Sequence, residues 1–191
     1  MSAIPGVLLS PERASELEVR GTTEAAVLVP LYLKNHSLHA VFTERRHDLP
    51  RHAGEISFPG GRRDAEDSDL MATALREAHE EIGLDPQAVE VIGALQPTST
   101  IATGYAIYPF VGLIAPGQQW VPNSREVSEV IELPLLAVAS GFARRRLTRR
   151  GVPIRTDTYV VDGHVIWGAT ARIVGDLLER LETLIGNVDR A

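Results

Sequence analysis

Apolar residues recur at helical spacing between positions 68 and 82: Leu70, Ala74, Ala78 and Ile82, with Leu75 beside them. That spacing predicts an amphipathic helix over 68–82. Gly83 is placed to stop it, because glycine accepts the left-handed conformation at a helix C-terminus. Apolar, β-rich runs at 25–33 and 38–43 flank Lys34-Asn35-His36-Ser37, a hairpin-like break. Further strands are expected at 89–95, 106–114 and 126–133, the last halted by Pro134, with a small-polar loop over 98–105. Residues 155–161 and 165–167 read as a hairpin around Asp162-Gly163. A short helix over 11–19, signalled by Ser10 and Pro11, opens the chain, and an amphipathic helix over 169–185 closes it. There is no internal repeat, low-complexity tract or linker.

Composition adds limits. A chain of 191 residues has the size of one domain and can bury a proper core, so 1–191 is read as a single domain with 1–20 as an N-terminal extension or short helix. With 44% hydrophobic and 23% charged residues, the chain is ordinary globular material. Zero cysteines exclude disulfides, zinc–thiolate sites and cysteine nucleophiles. No apolar run reaches membrane-spanning length and no signal pattern precedes the first strand, so the expectation is a cytoplasmic protein without a membrane partner. A net charge of −6 argues against a general polyanion binder, and no nucleic-acid partner is expected. Two basic patches stand out against it. Arg45, Arg46, His47, Arg51 and His52 precede the acidic helix, and Arg144, Arg145, Arg146, Arg149 and Arg150 crowd into seven positions. The second run reads as a solvated strand or hairpin edge that resists aggregation.

Chemistry concentrates on the helix. Glu77, Glu80 and Glu81 stand at i, i+3 and i+4, within one narrow arc of its surface. Carboxylates so placed repel one another, and a helix gains nothing from that alone. A hard divalent cation offsets the repulsion, because Mg²⁺ takes oxygen ligands and shares its shell with substrate phosphates. The competing reading is an exposed acidic face. Arg76 is available to pin the preceding loop by pairing with a carboxylate such as Asp67. His79, among the glutamates, reads as an exposed helix residue. The chain lacks the phosphate loops G-x-x-x-x-G-K-[ST] and G-x-G-x-x-G, and it lacks a G-x-S-x-G elbow.

The run Arg76-Glu77-Ala78-His79-Glu80-Glu81-Ile82-Gly83-Leu84 closely resembles the second half of the Nudix box, G-x5-E-x7-R-E-U-x-E-E-x-G-U with U apolar. The first half departs from the pattern. Gly61 lies fifteen positions before Arg76 (76 − 61 = 15) where the box has fourteen, and no glutamate stands at the usual place; Asp64, Glu66 and Asp67 are the nearby acids. Thr43, Arg45, Gly54 and Phe58-Pro59-Gly60-Gly61 further resemble the signature that precedes the box in the coenzyme A pyrophosphatase branch. Arg46 replaces a small residue of that signature. Pro50 stands where its second arginine is expected, leaving Arg51 or His52 to supply the cation.

The resemblance implies an α/β Nudix fold, a mixed β-sheet sandwiched between helices. It implies metal-dependent hydrolysis, with Mg²⁺ or Mn²⁺, of the diphosphate of coenzyme A or its thioesters to 3′,5′-ADP and 4′-phosphopantetheine. Glu77 and Glu81, with Gly61, are then the metal-binding residues, and Glu80 is a further ligand or the group that takes the proton of the attacking water. Arg45, Arg51, His52, Phe58 and Tyr105 are the substrate-binding candidates. Glu126 and Glu129 are candidates for an additional carboxylate, or simply exposed strand residues. The other readings are a Nudix enzyme for ADP-ribose or a dinucleotide, and a catalytically silent ligand sensor. The family also leaves a homodimer open.

Overall fold

A computed structural model describes residues 4–49, 53–100, 104–149 and 152–188. In chain order the first elements are α1 (Pro11–Ser15), β1 (Thr23–Lys34), β2 (Ser37–Arg45), β3 (Ile56–Ser57) and β4 (Gly60–Arg62). Then come α2 (Leu70–Ile82), β5 (Glu90–Ala94), β6 (Thr98–Ser99), β7 (Tyr105–Leu113), β8 (Val127–Pro134) and α3 (Leu135–Ser140). The last are β9 (Phe142–Arg149), β10 (Val152–Val161), β11 (His164–Trp167) and α4 (Gly168–Val188).

The first eight strands form one mixed sheet. Its two central strands begin as a hairpin whose turn residues, Asn35 and His36, both have positive φ (50° and 63°). That is the left-handed pair of a two-residue turn matched to strand twist. β1 and β2 pair antiparallel only near this turn, from Leu31 opposite Ala40 to Lys34 opposite Ser37. Beyond it they part. The same edge of β2 pairs with β3 (Thr43 opposite Ser57), and the same edge of β1 pairs with β4 (Val27 opposite Gly60). The opened strands therefore leave a wedge, filled by residues 56–62. β7 runs parallel to β1 on its other edge, β5 and β6 lie against β7, and β8 pairs with the far edge of β2.

Side-chain alternation along β1 builds two cores. Ala26, Leu28 and Tyr32 pack with Leu70, Ala74, Ala78 and Ile82 of α2. Val29 and Leu31 face the opposite layer, with Leu135 and Val138 of α3, Ile166, and Ala171, Ile173, Val174 and Leu177 of α4. The mixed sheet is thus held between helices. Among the described residues, no helix is long and apolar enough to cross a membrane.

The periodic elements fall close to their expected places, with two corrections. α1 stops at Ser15 instead of reaching 19, and the Leu17 carbonyl accepts a hydrogen bond from the Tyr108 hydroxyl (3.3 Å) instead of continuing the helix. α3 follows Pro134 directly. Its N-cap is that proline, with no capping side chain, so no polar start signal announces it. β9, β10 and β11 form a separate antiparallel sheet in which β9, carrying the arginine run, is an outer strand.

Candidate active site

The acidic helix is fixed at both ends before its carboxylates meet anything. Asp69 caps α2 by accepting the Ala72 N–H (2.7 Å), and Gly83, at φ 72°, closes it by donating to the His79 carbonyl. Along their shared arc the three acids then meet different surroundings. Glu81 faces the sheet, where its carboxylate accepts one hydrogen bond from the Gly60 N–H (3.2 Å). Burial pushes its carboxyl up from the usual 4.5 to about 8, and the nearby charges of Glu77 and Glu126 add to the rise. Glu77 lies against Gly61 so closely that a Cβ at 61 would stand 2.5 Å from the carboxylate, so a side chain there would have to displace that carboxylate. Burial raises Glu77 as well, against the opposing pull of Arg76. Glu80 is half-exposed at the rim and bonds to Arg76 (3.2 Å).

Arg76 organises the loop ahead of the helix. Its guanidinium donates to both carboxylate oxygens of Asp67 (2.9 and 3.1 Å) and to the Arg62 carbonyl (3.1 Å). Asp67 also accepts from the Thr73 hydroxyl and the Asp64 N–H (both 2.9 Å). The arginine and these donors hold its carboxyl well below the usual range. Asp67 therefore pairs with Arg76 in the loop that has no glutamate at the usual box position, while Asp64 stays 3.7 Å from the guanidinium. Asp67→Ala should leave a half-buried guanidinium without its main partner and cost about 3 kcal/mol. Urea denaturation of parent and variant at pH 7 checks this.

Glu126, just ahead of β8, joins the group across the cleft. It pairs with Arg45 (3.3 Å), and its charge acts on both Glu77 and Glu81. A register shift between Glu44 and Arg45 in the β2–β8 ladder places Arg45 there. Glu129 is instead an exposed strand residue opposite Glu44, so the two extra acids are not equivalent. Among the described residues, no three His, Asp or Glu side chains are already closed around a cation position. What the structure assembles is Glu77, Glu81 and Glu126 within electrostatic reach of one another, with Glu80 outside at the rim.

A cleft of about 320 Å³ opens at this point, in the wedge between β1 and β2. Arg45, Glu55, Gly60, Gly61 and Glu81 line it together with Tyr105, Ile107, Trp167, Ala169 and Ile173. Tyr105 is half-buried there. Phe58 also lines the cleft, but it is 2% exposed and stacked on Phe42 with ring centroids 4.5 Å apart. It forms part of the cleft floor from within the core. Arg51 and His52 lie outside the described residues. His79 is exposed and contacts the Leu84 carbonyl (3.3 Å). Ile107 and Ile173 carry no motif and reach the cleft only through folding.

A model of the NUDIX domain matches residues 22–150. The protein named Uncharacterized Nudix hydrolase NudL of Salmonella typhimurium strain LT2 is 39% identical over 173 residues, which span 89% of this chain and 88% of that protein. NudL of Salmonella typhi matches to the same extent. Among solved structures, a C. elegans Ap4A hydrolase binary complex superposes with a TM-score of 0.57 at 13% identity, covering 87% of this chain and 99% of that one. The NUDIX domain of Shewanella oneidensis NrtR with ADP ribose gives 0.58 at 17% identity, covering 95% and 99%. At such identities these two structures speak to the fold alone.

Proposed function

This chain belongs to the Nudix hydrolase family, and from that premise we propose that it hydrolyses the diphosphate of coenzyme A or its thioesters, releasing 3′,5′-ADP and a 4′-phosphopantetheine. The observation that carries the reading is the cleft's double character. Acidic and arginine side chains at Glu81, Glu55 and Arg45 suit a cation and a diphosphate, while Tyr105, Ile107, Trp167 and Ile173 suit a long, weakly polar arm. The resemblance at Thr43, Arg45, Gly54 and residues 58–61 points to the same substrate.

The donor set fits a hard divalent cation, Mg²⁺ or Mn²⁺. Glu81 is a buried carboxylate whose ionisation is opposed by burial and by two neighbouring acids, a cost that a cation would remove. Glu77 and Glu81 would hold the ion beside Gly61, and Glu126 is the further carboxylate facing them. When bound, such an ion lowers the pKa of water and neutralises charge on phosphoryl oxygens. Glu80, solvated at the rim, accepts the proton of the attacking water or completes the ligand set. Arg76 holds the loop so that Gly60 and Gly61 stay against the acids. Arg45 offers a planar guanidinium to phosphate oxygens, which match its fork. A silent sensor has no need of an intact Glu77, Glu80 and Glu81 set, and all are present.

Hydrolysis of coenzyme A and of ADP-ribose, each with Mg²⁺ and with Mn²⁺ and with products separated by chromatography, tests the reading. The parent should show the higher kcat/KM for coenzyme A. Arg45→Ala should lower kcat/KM by roughly 10-fold or more, the loss of a hydrogen bond to a charged group. A parent that prefers ADP-ribose or a dinucleotide would overturn the coenzyme A assignment while leaving the family chemistry in place.

A further inference from the structure

The arginine run on β9 plays no part in the cleft chemistry, yet the fold does not leave it as a uniformly solvated edge. Directly opposite residues of an antiparallel pair share a face. Phe142, Arg144 and Arg146 of β9 therefore share one face with Tyr159, Asp157 and Arg155 of β10. The first of these pairs brings its rings to 5.6 Å, and the second is an ion pair at 2.9 Å. The third sets Arg146 straight across from Arg155. Like charges so placed destabilise a sheet.

This face borders a groove of about 800 Å³ closed on its other side by α4. Arg144, Arg155, Thr156 and Tyr159 line the sheet side, Arg172 and Gly175 the helix side, and Thr98 the end. Three arginines thus line one space. The acids around it are largely engaged. Asp157 pairs with Arg144, and Asp176 pairs with Arg180 (2.8 Å) while accepting the Gln96 N–H (2.7 Å). Glu179 remains at the wall. Arg172 is held by neutral partners, donating to the Thr98 hydroxyl (2.8 Å) and the Ser99 carbonyl, so its charge is not cancelled by them. Gly168 lines both this groove and the catalytic cleft. The groove and the cleft are therefore adjacent at that residue.

We propose that the groove between β9–β10 and α4 is a second anion site, built for a phosphomonoester and centred on Arg155 with Arg144 and Arg172. Its adjacency to the cleft at Gly168 makes the substrate's own remote phosphate the favoured source. That source rests on the coenzyme A reading, since coenzyme A carries a 3′-phosphate and its dephospho form does not. A free phosphate is the other source of the same chemistry.

Arg155→Ala and Arg155→Lys test the site, with Arg145→Ala as a charge-matched control whose side chain lies on the opposite face of β9. Two measurements run in parallel. The first is kcat/KM for coenzyme A and dephospho-coenzyme A with Mg²⁺, and the second is calorimetric binding of 3′,5′-ADP, 5′-AMP and inorganic phosphate. The expected result is about a ten-fold loss of kcat/KM for coenzyme A in Arg155→Ala, entering through KM, with dephospho-coenzyme A unchanged. Arg155→Lys should restore part of the loss, and 3′,5′-ADP should bind the parent more tightly than 5′-AMP. If the parent cleaves neither thiol substrate yet binds 3′,5′-ADP through Arg155, the coenzyme A reading falls and the groove stands. Arg155-dependent binding of inorganic phosphate alone, with turnover unaffected, assigns the groove to a free anion. If coenzyme A is cleaved and Arg155→Ala alters neither its selectivity nor any binding, or matches Arg145→Ala throughout, the groove proposal is overturned and the substrate reading survives.

Discussion

Glu81→Gln is expected to reduce turnover by roughly 10²–10⁴-fold while the protein stays folded, the range that one electrostatic or acid–base group contributes. The substitution keeps the side chain's volume and its acceptor for the Gly60 N–H, so packing between α2 and β4 is preserved. What it removes is the buried charge that faces Glu77 and Glu126. Steady-state rates at saturating Mg²⁺, with circular dichroism as the folding control, decide the matter. His79→Ala, two residues away but turned outward, should change the rate less than a few-fold. Activity near the parent level for Glu81→Gln would remove Glu81 from the site, and an equally severe loss at His79 would put that residue in it.

The same buried carboxylate sets the stability of the chelated protein against pH. Its folded value is about 8 and its ordinary value 4.5, so between these limits the unfolded chain is ionised while the folded chain keeps its proton. Below 4.5 both states are protonated and Glu81 contributes no pH dependence. As pH rises towards 8 the folded state loses stability, by on the order of several kcal/mol once the buried charge forms. Glu77 is raised too and acts in the same direction. In EDTA, Tm of the parent should therefore fall from pH 5.5 to pH 8.5 by on the order of 10 °C relative to Glu81→Gln. The variant should be the more stable of the two at the alkaline end, and saturating Mg²⁺ should reverse that order. Equal Tm profiles for the chelated parent and variant would show that Glu81 is not the buried acid responsible.

Some of this was written in local spacing. Leu70, Ala74, Ala78 and Ile82 recur at a period set by the helix itself, and Gly83 stops it through a backbone conformation that glycine alone adopts without cost. Asn35 and His36 lie between apolar runs that had to pair, because a two-residue turn forces its flanking strands together. Glu77, Glu80 and Glu81 were on one arc from their numbering alone. Such features depend on neighbours a few positions apart, and the tertiary structure had only to preserve them.

Other features had no local cause. α3 starts on a proline without a capping side chain, so it forms because Leu135 and Val138 are buried against the sheet. Phe58, beside its glycine turn, reads as a substrate-cleft candidate, and only the tertiary structure stacks it on Phe42 in the core behind the cleft. Glu126 and Glu129 could not be separated along the chain, since both belong to a polar stretch near one strand. The β2–β8 pairing decides between them, carrying Glu126 to Arg45 and leaving Glu129 opposite Glu44. Likewise Arg155 acquires its meaning only across the ladder from Arg146 and across the groove from Arg172. Period and turn chemistry act over a few residues and are legible in the chain. The direction a glutamate or arginine faces among distant partners is set by strand register and burial, which exist only once the sheet has closed.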